Sequence, residues 1–385
     1  MEGECSMLVK QENTYKSVFI LARTFRRACQ GYLFEVKIGQ GSGDIMGARE
    51  GIPVPIDAQD RPPLLHPVTK FFDDEKKHTV LSYTGSLVAV TFNGPSKLYM
   101  LVTASVEPKP EGRVFDTETK SFYKLFKRPK SFGRGANLIP AYGKLYHLGK
   151  WGPREGPAFE RYDPCNDCWE PLPPAPAELF RGIWTVTDNV FAFHVIENKW
   201  HPVSGSISIQ GRAVVVGDTI YALSTAFQMV KFSFDSSMYS ITTKQELGGL
   251  ENVGQYTMGE RFDNYSEYMV HLGNLEFCRV CTAVDNSGDG RQPIWITTFQ
   301  IGDTPDIKIL HSAVFDVDMT DYYIYYSFTP YVPFPSHPSQ ITKMTNPKEK
   351  KLSPKPKVPN PHLLPSSGSC CASATFIKSL HSSEF

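Results

Sequence analysis

Short runs of β-branched and aromatic residues, separated by turns rich in glycine and asparagine, dominate the middle of the chain. No stretch in this region keeps a helical period of apolar residues beyond two turns. Many short strands with turn signals predict an all-β sandwich, barrel or propeller. The clearest strand-like runs are residues 86–92, 144–148, 189–193, 219–223 and 294–299.

A recurring hairpin pattern favours the propeller among these three architectures. Each copy consists of an apolar strand, a Gly-polar pair and a second apolar strand, and glycine suits the positive φ of a tight hairpin turn. The copies turn at Gly85, Gly143, Gly217 and Gly273, and Asp188-Asn189 is a fifth copy without the glycine. A mean spacing of about 47 residues leads to a sixth turn near residue 320, so six blades are predicted, with five as the alternative.

A second pattern runs in phase with the hairpins. An aromatic residue follows an aspartate by six positions, as Phe122 follows Asp116 and Trp169 follows Asp163. We expect the aspartate to cap a tight turn and the aromatic ring to pack between adjacent sheets. The residues predicted to have structural roles in the repeat are Asp116, Asp163, Trp169, Trp200, Gly143, Gly217 and Gly273.

With these motifs the chain resembles the kelch-type β-propellers. The repeat of that family has a glycine turn, a Leu-Tyr strand, a Tyr-Asp turn and a Trp-x-x-Leu-Pro segment, and residues 143–173 contain all four. The degenerate repeats elsewhere resemble the F-box/kelch-like proteins of plants, and of grasses in particular, although no F-box is recognisable. The resemblance implies an all-β, kelch-like β-propeller.

Composition divides the chain into three parts. Residues 1–65 are predicted to be an N-terminal extension that could supply a closing strand, and residues 66–332 to be the propeller. Residues 333–385 contain nine prolines and seven lysines. Proline fixes φ and donates no backbone hydrogen bond, so this part is predicted to be a disordered tail rich in Pro, Lys and Ser. We therefore expect its deletion to change the melting temperature little.

Charge and hydropathy narrow the classes of partner. The 385 residues include 40 basic and 40 acidic side chains, which argues against a body-wide basic surface for nucleic acid. No apolar run approaches the roughly 18–20 residues of a membrane-spanning helix. The acidic start of the chain and cysteines interpreted as reduced thiols predict a cytoplasmic or nuclear protein.

Signatures of catalysis are absent from the sequence, which predicts neither an enzyme nor a bound cofactor or metal. His194 stands where other repeats have an aspartate, so it is interpreted as a turn residue. Two Cys-x-x-Cys pairs, Cys165/Cys168 and Cys278/Cys281, could hold zinc. Their separation and the strand character of the second pair favour apolar strand residues and exposed turn thiols instead.

Arginines at the start of predicted repeats suggest a binding surface. They fall in loops that would share one propeller face with three long loops. Guanidinium groups beside a tryptophan bind carboxylates or phosphates, and the same residue types dominate protein interfaces. Alternatively, each arginine hydrogen-bonds carbonyl groups of a neighbouring blade. The predicted loop face consists of Arg134, Arg181, Arg212, Trp151, Arg154 and Arg291.

The function predicted from these observations is a non-catalytic protein–protein interaction module whose unidentified protein partner binds the loop face. One alternative is a substrate-recognition protein for ubiquitin ligation that lacks its F-box. A second alternative is a kelch-fold enzyme that depends on metal or sugar chemistry.

Overall fold

In the residues that the computed structural model describes, all regular secondary structure is β-strand, arranged in six small antiparallel sheets. The predicted all-β propeller fold is confirmed. Five sheets have four or five strands, and one has three. The structure describes residues 15–24, 31–47, 49–50, 62–71, 87–91, 96–102, 112–130, 137–149, 159–176, 190–205, 209–224, 228–250, 262–285, 292–302, 305–317, 322–328 and 375–377.

The first sheet brings the two ends of the propeller together, in the order β23-β1-β2-β4. The apolar strand β1 pairs with β2 on one side and with β23 on the other. The strands β1 and β2, from the segment predicted to be an N-terminal extension that could supply a closing strand, therefore share a sheet with β4 and β23. The strands are β1 (Tyr15–Thr24), β2 (Gly31–Gly39), β4 (Pro67–Phe71) and β23 (Tyr322–Phe328).

Three sheets are each built from four consecutive strands. The second contains β5 (Leu87–Thr91), β6 (Lys97–Val102), β7 (Gly112–Asp116) and β8 (Ser121–Phe126). The third contains β9 (Asn137–Ala141), β10 (Lys144–Leu148), β11 (Phe159–Asp163) and β12 (Cys168–Pro171). The fifth contains β15 (Ile209–Val216), β16 (Thr219–Ser224), β17 (Met229–Asp235) and β18 (Ser240–Leu247).

The sixth sheet has five strands, and its edge strand β22 is covered by a short strand from the N-terminal part of the chain. Its order is β19-β20-β21-β22-β3. The strands are β3 (Arg49–Glu50), β19 (Phe262–Gly273), β20 (Glu276–Asp285), β21 (Gln292–Ile301) and β22 (Ile307–Val317).

The fourth sheet has three strands, in the order β14-β13-β24. β24 lies within the segment predicted to be a disordered tail, yet it pairs with β13. Its sequence, Thr-Phe-Ile, combines the β-branched and aromatic residues that favour extended pairing. The other residues of 333–385 lie outside the described ranges. The strands are β13 (Val190–His194), β14 (Lys199–Val203) and β24 (Thr375–Ile377).

Side chains and glycines at fixed places in the repeat form the turns. Asp116 Oδ1 accepts a hydrogen bond from the Glu118 backbone N–H at 2.8 Å, and Asp163 Oδ1 accepts one from the Cys165 N–H at 3.0 Å. In the fourth sheet, His194 Nδ1 accepts from the Glu197 N–H at 3.0 Å. Each side chain satisfies a turn donor that the ladder leaves unpaired. Positive φ angles occur at the hairpin turns of Gly143, Gly217 and Gly273.

The apolar core lies between neighbouring sheets, and two tryptophans extend it outward. The Trp169 ring is buried, and its centroid lies 5.1 Å from that of the Tyr162 ring. Its indole N–H donates to the Lys127 carbonyl at 2.6 Å. The Trp200 N–H donates to the Pro173 carbonyl at 3.2 Å. Each indole therefore connects its sheet to the segment that follows the last strand of the preceding sheet. The described ranges contain no helix long and apolar enough to span a membrane.

Candidate functional site

The predicted loop face is largely beyond what the structure describes. Arg212 is in β15, at the point where pairing with β16 shifts register between Gln210 and Val214. A common face for the six residues remains a prediction. The members that lie outside the described ranges are Arg134, Arg181, Trp151, Arg154 and Arg291.

The edge strand of the second sheet presents large apolar side chains to solvent. Phe122, Tyr123 and Leu125 of β8 are 42%, 63% and 55% exposed. Among the described strands, β8 is hydrogen-bonded to β7 alone, and no other described strand pairs with its second backbone edge. A contiguous apolar row on an open strand edge is a feature that proteins usually avoid unless it binds something.

A register shift between β7 and β8 lies within this exposed row. Val114 pairs with Lys124 but Phe115 pairs with Phe122, so Tyr123 is an extra residue in β8. Such a bulge twists the strand and re-aims its side chains. Phe122 was expected to pack between sheets as Trp169 does, and this part of the prediction is wrong, because the Phe122 side chain is 42% exposed.

Cationic side chains hold the exposed rings of β8. Phe122 contacts the buried Phe115 edge-on, with ring centroids 5.6 Å apart, and the Arg113 guanidinium lies 5.5 Å from the Phe122 centroid. The Lys97 ammonium lies 4.7 Å from the centroid of Tyr123. Cation–π contacts restrict the rings before any partner arrives, which reduces the entropy lost on binding.

Basic side chains continue along β8 and beyond it. At the start of the strand, the Lys120 ammonium is 2.9 Å from Glu35 Oε2 and 4.4 Å from the Phe19 ring centroid. Burial acts to raise the pKa of Glu35, but hydrogen bonds from Lys120 and Ser17 outweigh it and hold the pKa below its ordinary value. Since Glu35 offsets Lys120, positive charge concentrates at the other end of β8. The exposed cations there are Lys124, Lys127, Arg128 and Lys130.

The backbone that carries these cations is fixed to the third sheet. The Lys127 N–H donates to Asp167 Oδ1 at 3.2 Å, and the Lys127 carbonyl accepts from Trp169. The Lys130 N–H donates to Glu160 Oε1 at 3.1 Å. Because the backbone is anchored, the lysine and arginine side chains project from a defined line. We refer to Phe122, Tyr123 and Leu125, with the cations of residues 124–130, as the β8 edge.

The corresponding edge strand of the fifth sheet, β18, has a different surface. Its five consecutive exposed residues include no large apolar side chain and carry charges of both signs. Polar and mixed-charge edges discourage pairing with other chains. These residues are Thr242, Thr243, Lys244, Gln245 and Glu246.

The cysteine pairs lie apart, in two different sheets. Cys165 and Cys168 are exposed at the turn that leads into β12, whereas Cys278 and Cys281 are buried in β20. Burial raises the pKa of the Cys278 thiol. Within the ranges that the structure describes, no three His, Cys, Asp or Glu side chains are grouped so that they could hold a metal ion.

A second polar cluster joins the fourth and fifth sheets. The rings of His201 and Tyr239 stack with centroids 3.9 Å apart and planes 7° from parallel. His201 Nε2 is 3.3 Å from Glu197 Oε2, and the Ser204 N–H donates to the Tyr239 carbonyl at 2.9 Å. These contacts connect the fourth sheet to the fifth, which is a structural role.

The sequence carried a signal for the β8 edge. Residues 120–130 interleave three aromatic and five basic side chains, a mixture that a strand buried on one face does not need. The sequence analysis used Phe122 only as a packing residue of the repeat. The bulge next to Phe122 depends on pairing with β7, and the local pattern does not encode that shift.

Comparison with known proteins does not assign a family. No protein-family description matches the chain, and no curated protein matches it. Similar solved structures include one titled "Structure of YjhT", with 9% identity and a TM-score of 0.36, covering 59% of this chain and 97% of that one. The RRP9 WD40 repeats share 10% identity with a TM-score of 0.31, covering 78% and 82%. Apo AztD from Citrobacter koseri shares 7% identity with a TM-score of 0.34, covering 82% and 98%.

Proposed function

We propose that this chain is a non-catalytic protein-interaction module that binds an extended segment of another protein along the β8 edge. The observation that carries the proposal is the row of exposed Phe122, Tyr123 and Leu125 on a strand whose second backbone edge pairs with no other described strand. An added strand would pair with that backbone and bury the three side chains together. Backbone pairing and burial of the apolar side chains are available at the same place, which favours an extended polypeptide over a globular surface.

The cations of the β8 edge specify the charge of the partner. Lys124, Lys127 and Arg128 flank the apolar row on an anchored backbone. Acidic side chains in the partner segment would meet them, which fixes register and speeds association at low salt. The partner is therefore a segment with apolar residues that contact the β8 rings and Asp or Glu towards the end of β8.

The finer features of the proposal rest on the sequence. The kelch-type assignment is supported by the repeat in residues 143–173, and the loop face with Arg134 and Arg181 is a second candidate surface of the same module. If the module recognises substrates for ubiquitin ligation, its purified complex would contain ligase subunits in stoichiometric amounts. Stoichiometric bound metal in the purified protein would support the enzyme alternative instead.

A capture experiment with matched variants tests the proposal. Three forms of the protein are immobilised and exposed to a nuclease-treated lysate. They are the unmodified chain, the triple variant Phe122→Ser/Tyr123→Ser/Leu125→Ser and the β18 control Thr242→Ser/Gln245→Ser. Captured proteins are then purified and their affinities measured. All three substituted β8 side chains are at least 42% exposed, so we expect the thermal stability to change little.

The expected result is a partner that loses at least tenfold in affinity for the β8 variant and keeps its affinity for the β18 control. Lys124→Glu/Arg128→Glu should also weaken binding, more strongly at low salt. Partners that bind both variants equally would contradict the proposal. So would partners that are captured from an untreated lysate but not from the nuclease-treated one, because aromatic and basic side chains also bind single-stranded nucleic acid.

A further inference from the structure

We propose that the edge of β13 opposite β14 is a second strand-binding site, occupied in cis by β24 and open to an extended apolar segment of another polypeptide when β24 leaves. This inference does not depend on the β8 edge. It follows from how the fourth sheet is completed.

β13 corresponds to β11 and β17 in the neighbouring sheets, since each leads into a turn capped by its last side chain: His194, Asp163 and Asp235. In those sheets this edge pairs with the preceding strand of the sequence: β10 pairs with β11, and β16 pairs with β17. On β13 the same edge is covered by β24, which follows residues 329–374. A strand from a distant part of the chain has taken a place that local strands fill elsewhere.

The pairing of β24 is short. It consists of Phe191 with Ile377, Ala192 with Phe376 and Phe193 with Thr375, whereas β13 pairs with β14 along all five of its residues. Three pairs provide few hydrogen bonds to offset the entropy of ordering the segment. Covalent attachment makes the pairing intramolecular, which raises the effective concentration of β24 at β13, so β24 occupies the site chiefly because it is tethered.

The surroundings of β13 determine what a replacement strand must be. Val190 and Ala192 are buried in a cluster with Val203, and Phe193 is buried on the other face, 4.7 Å from the Phe159 ring. A strand beside β13 therefore runs between two apolar layers. Such positions require β-branched or aromatic residues on both faces and no proline. The ligand is thus an extended apolar peptide segment with the pattern of Thr375–Ile377.

A peptide of residues 372–380, labelled at its N-terminus, is the probe for this site. It is titrated into the unmodified full chain and into the full chain with Ile377→Pro. Phe191 pairs with Pro202 of β14, which has no N–H, so the backbone groups of Phe191 point towards Ile377, and proline at position 377 removes a ladder donor. We expect one peptide to bind per chain, at least tenfold more tightly to the variant, because its own strand no longer competes. The same peptide with Ile377→Pro should bind neither protein.

Equal affinity for both proteins, or binding to neither, would overturn the proposal. Deleting residues 375–385, compared with deleting 378–385, repeats the comparison without an internal proline. Hydrogen exchange on the unmodified chain gives a readout that needs no variant. Peptide in millimolar excess should accelerate exchange at Thr375–Ile377 while β13 stays protected, and unchanged exchange there would count against the site.

Two further outcomes separate this site from its rivals. Substitutions in the β8 edge should leave peptide affinity unchanged, so failure here and failure of the proposed function are distinguishable. A dimer of the full chain that Ile377→Pro dissociates would indicate that β24 pairs with β13 of a second copy, and would overturn cis occupancy.

Discussion

His147 in β10 is fully buried beside acidic and aromatic neighbours. Its Nδ1 is 3.8 Å from Glu160 Oε2, and its ring meets Trp169 edge-on at 5.9 Å. Burial lowers the pKa of His147 from 6.5 to about 3, because the charged imidazolium loses its hydration there. The folded protein therefore keeps this residue neutral at pH values where the unfolded chain protonates it.

This difference makes stability depend on pH. Above about pH 6.5 His147 is neutral in both states and adds no pH dependence; as the pH falls from 6.5 towards 3, only the unfolded chain takes up the proton. At pH 5 the free energy of unfolding should be lower by about 2 kcal/mol through this group. Denaturant titrations at pH 7 and pH 5 measure the difference.

The His147→Leu variant should lose about 2 kcal/mol less than the unmodified chain between those pH values, whatever its stability at pH 7. His66→Gln is the matched control, since His66 is exposed. A His147 variant that keeps the full pH dependence would show that the imidazole is protonated in the folded protein.

At the scale of strands, local sequence patterns predicted positions well where neighbouring strands pair. The predicted runs 144–148 and 219–223 correspond to β10 and β16, and 294–299 lies inside β21. Two features could not be predicted from local sequence patterns because they depend on pairing between strands. The β8 bulge arises from a one-residue shift against β7, and β24 pairs with a strand more than 180 residues earlier.

The presence of β24 changes what deletion of the tail should do. Removing residues 333–385 also removes the strand that covers the edge of β13, so we now expect the melting temperature to fall by a few degrees instead of staying constant. Differential scanning calorimetry compares this deletion with removal of residues 378–385, which keeps β24. If both deletion forms have the melting temperature of the unmodified chain, β24 adds nothing to the stability of the fourth sheet.

At the scale of the whole molecule, the fold closes through its termini. β1 lies between β2 and β23, and its Ile20 and Leu21 are fully buried. The apolar character of this segment was visible in the sequence, but its inclusion in a four-stranded sheet with β4 was not. Register between distant strands depends on the assembled propeller, and periodicity alone cannot supply it.

The candidate site was less predictable than the fold. Aromatic and basic residues in 120–130 could be identified from the sequence, but the bulge in β8 and the anchoring of residues 127 and 130 by Trp169 and Glu160 could not. The loop face, including Arg134 and Arg181, was inferred from the repeat and remains a prediction. Repeat patterns report what packs between sheets, whereas binding surfaces are made by departures from the repeat.

Hydrogen exchange of the module with and without its bound protein partner tests the central claim most directly. If an extended segment pairs with the β8 edge, exchange should slow at least tenfold at backbone amides of Ser121–Phe126. Exchange in β18 should not change. Protection confined to loops or to other strands, with Ser121–Phe126 unaffected, would contradict strand addition at β8.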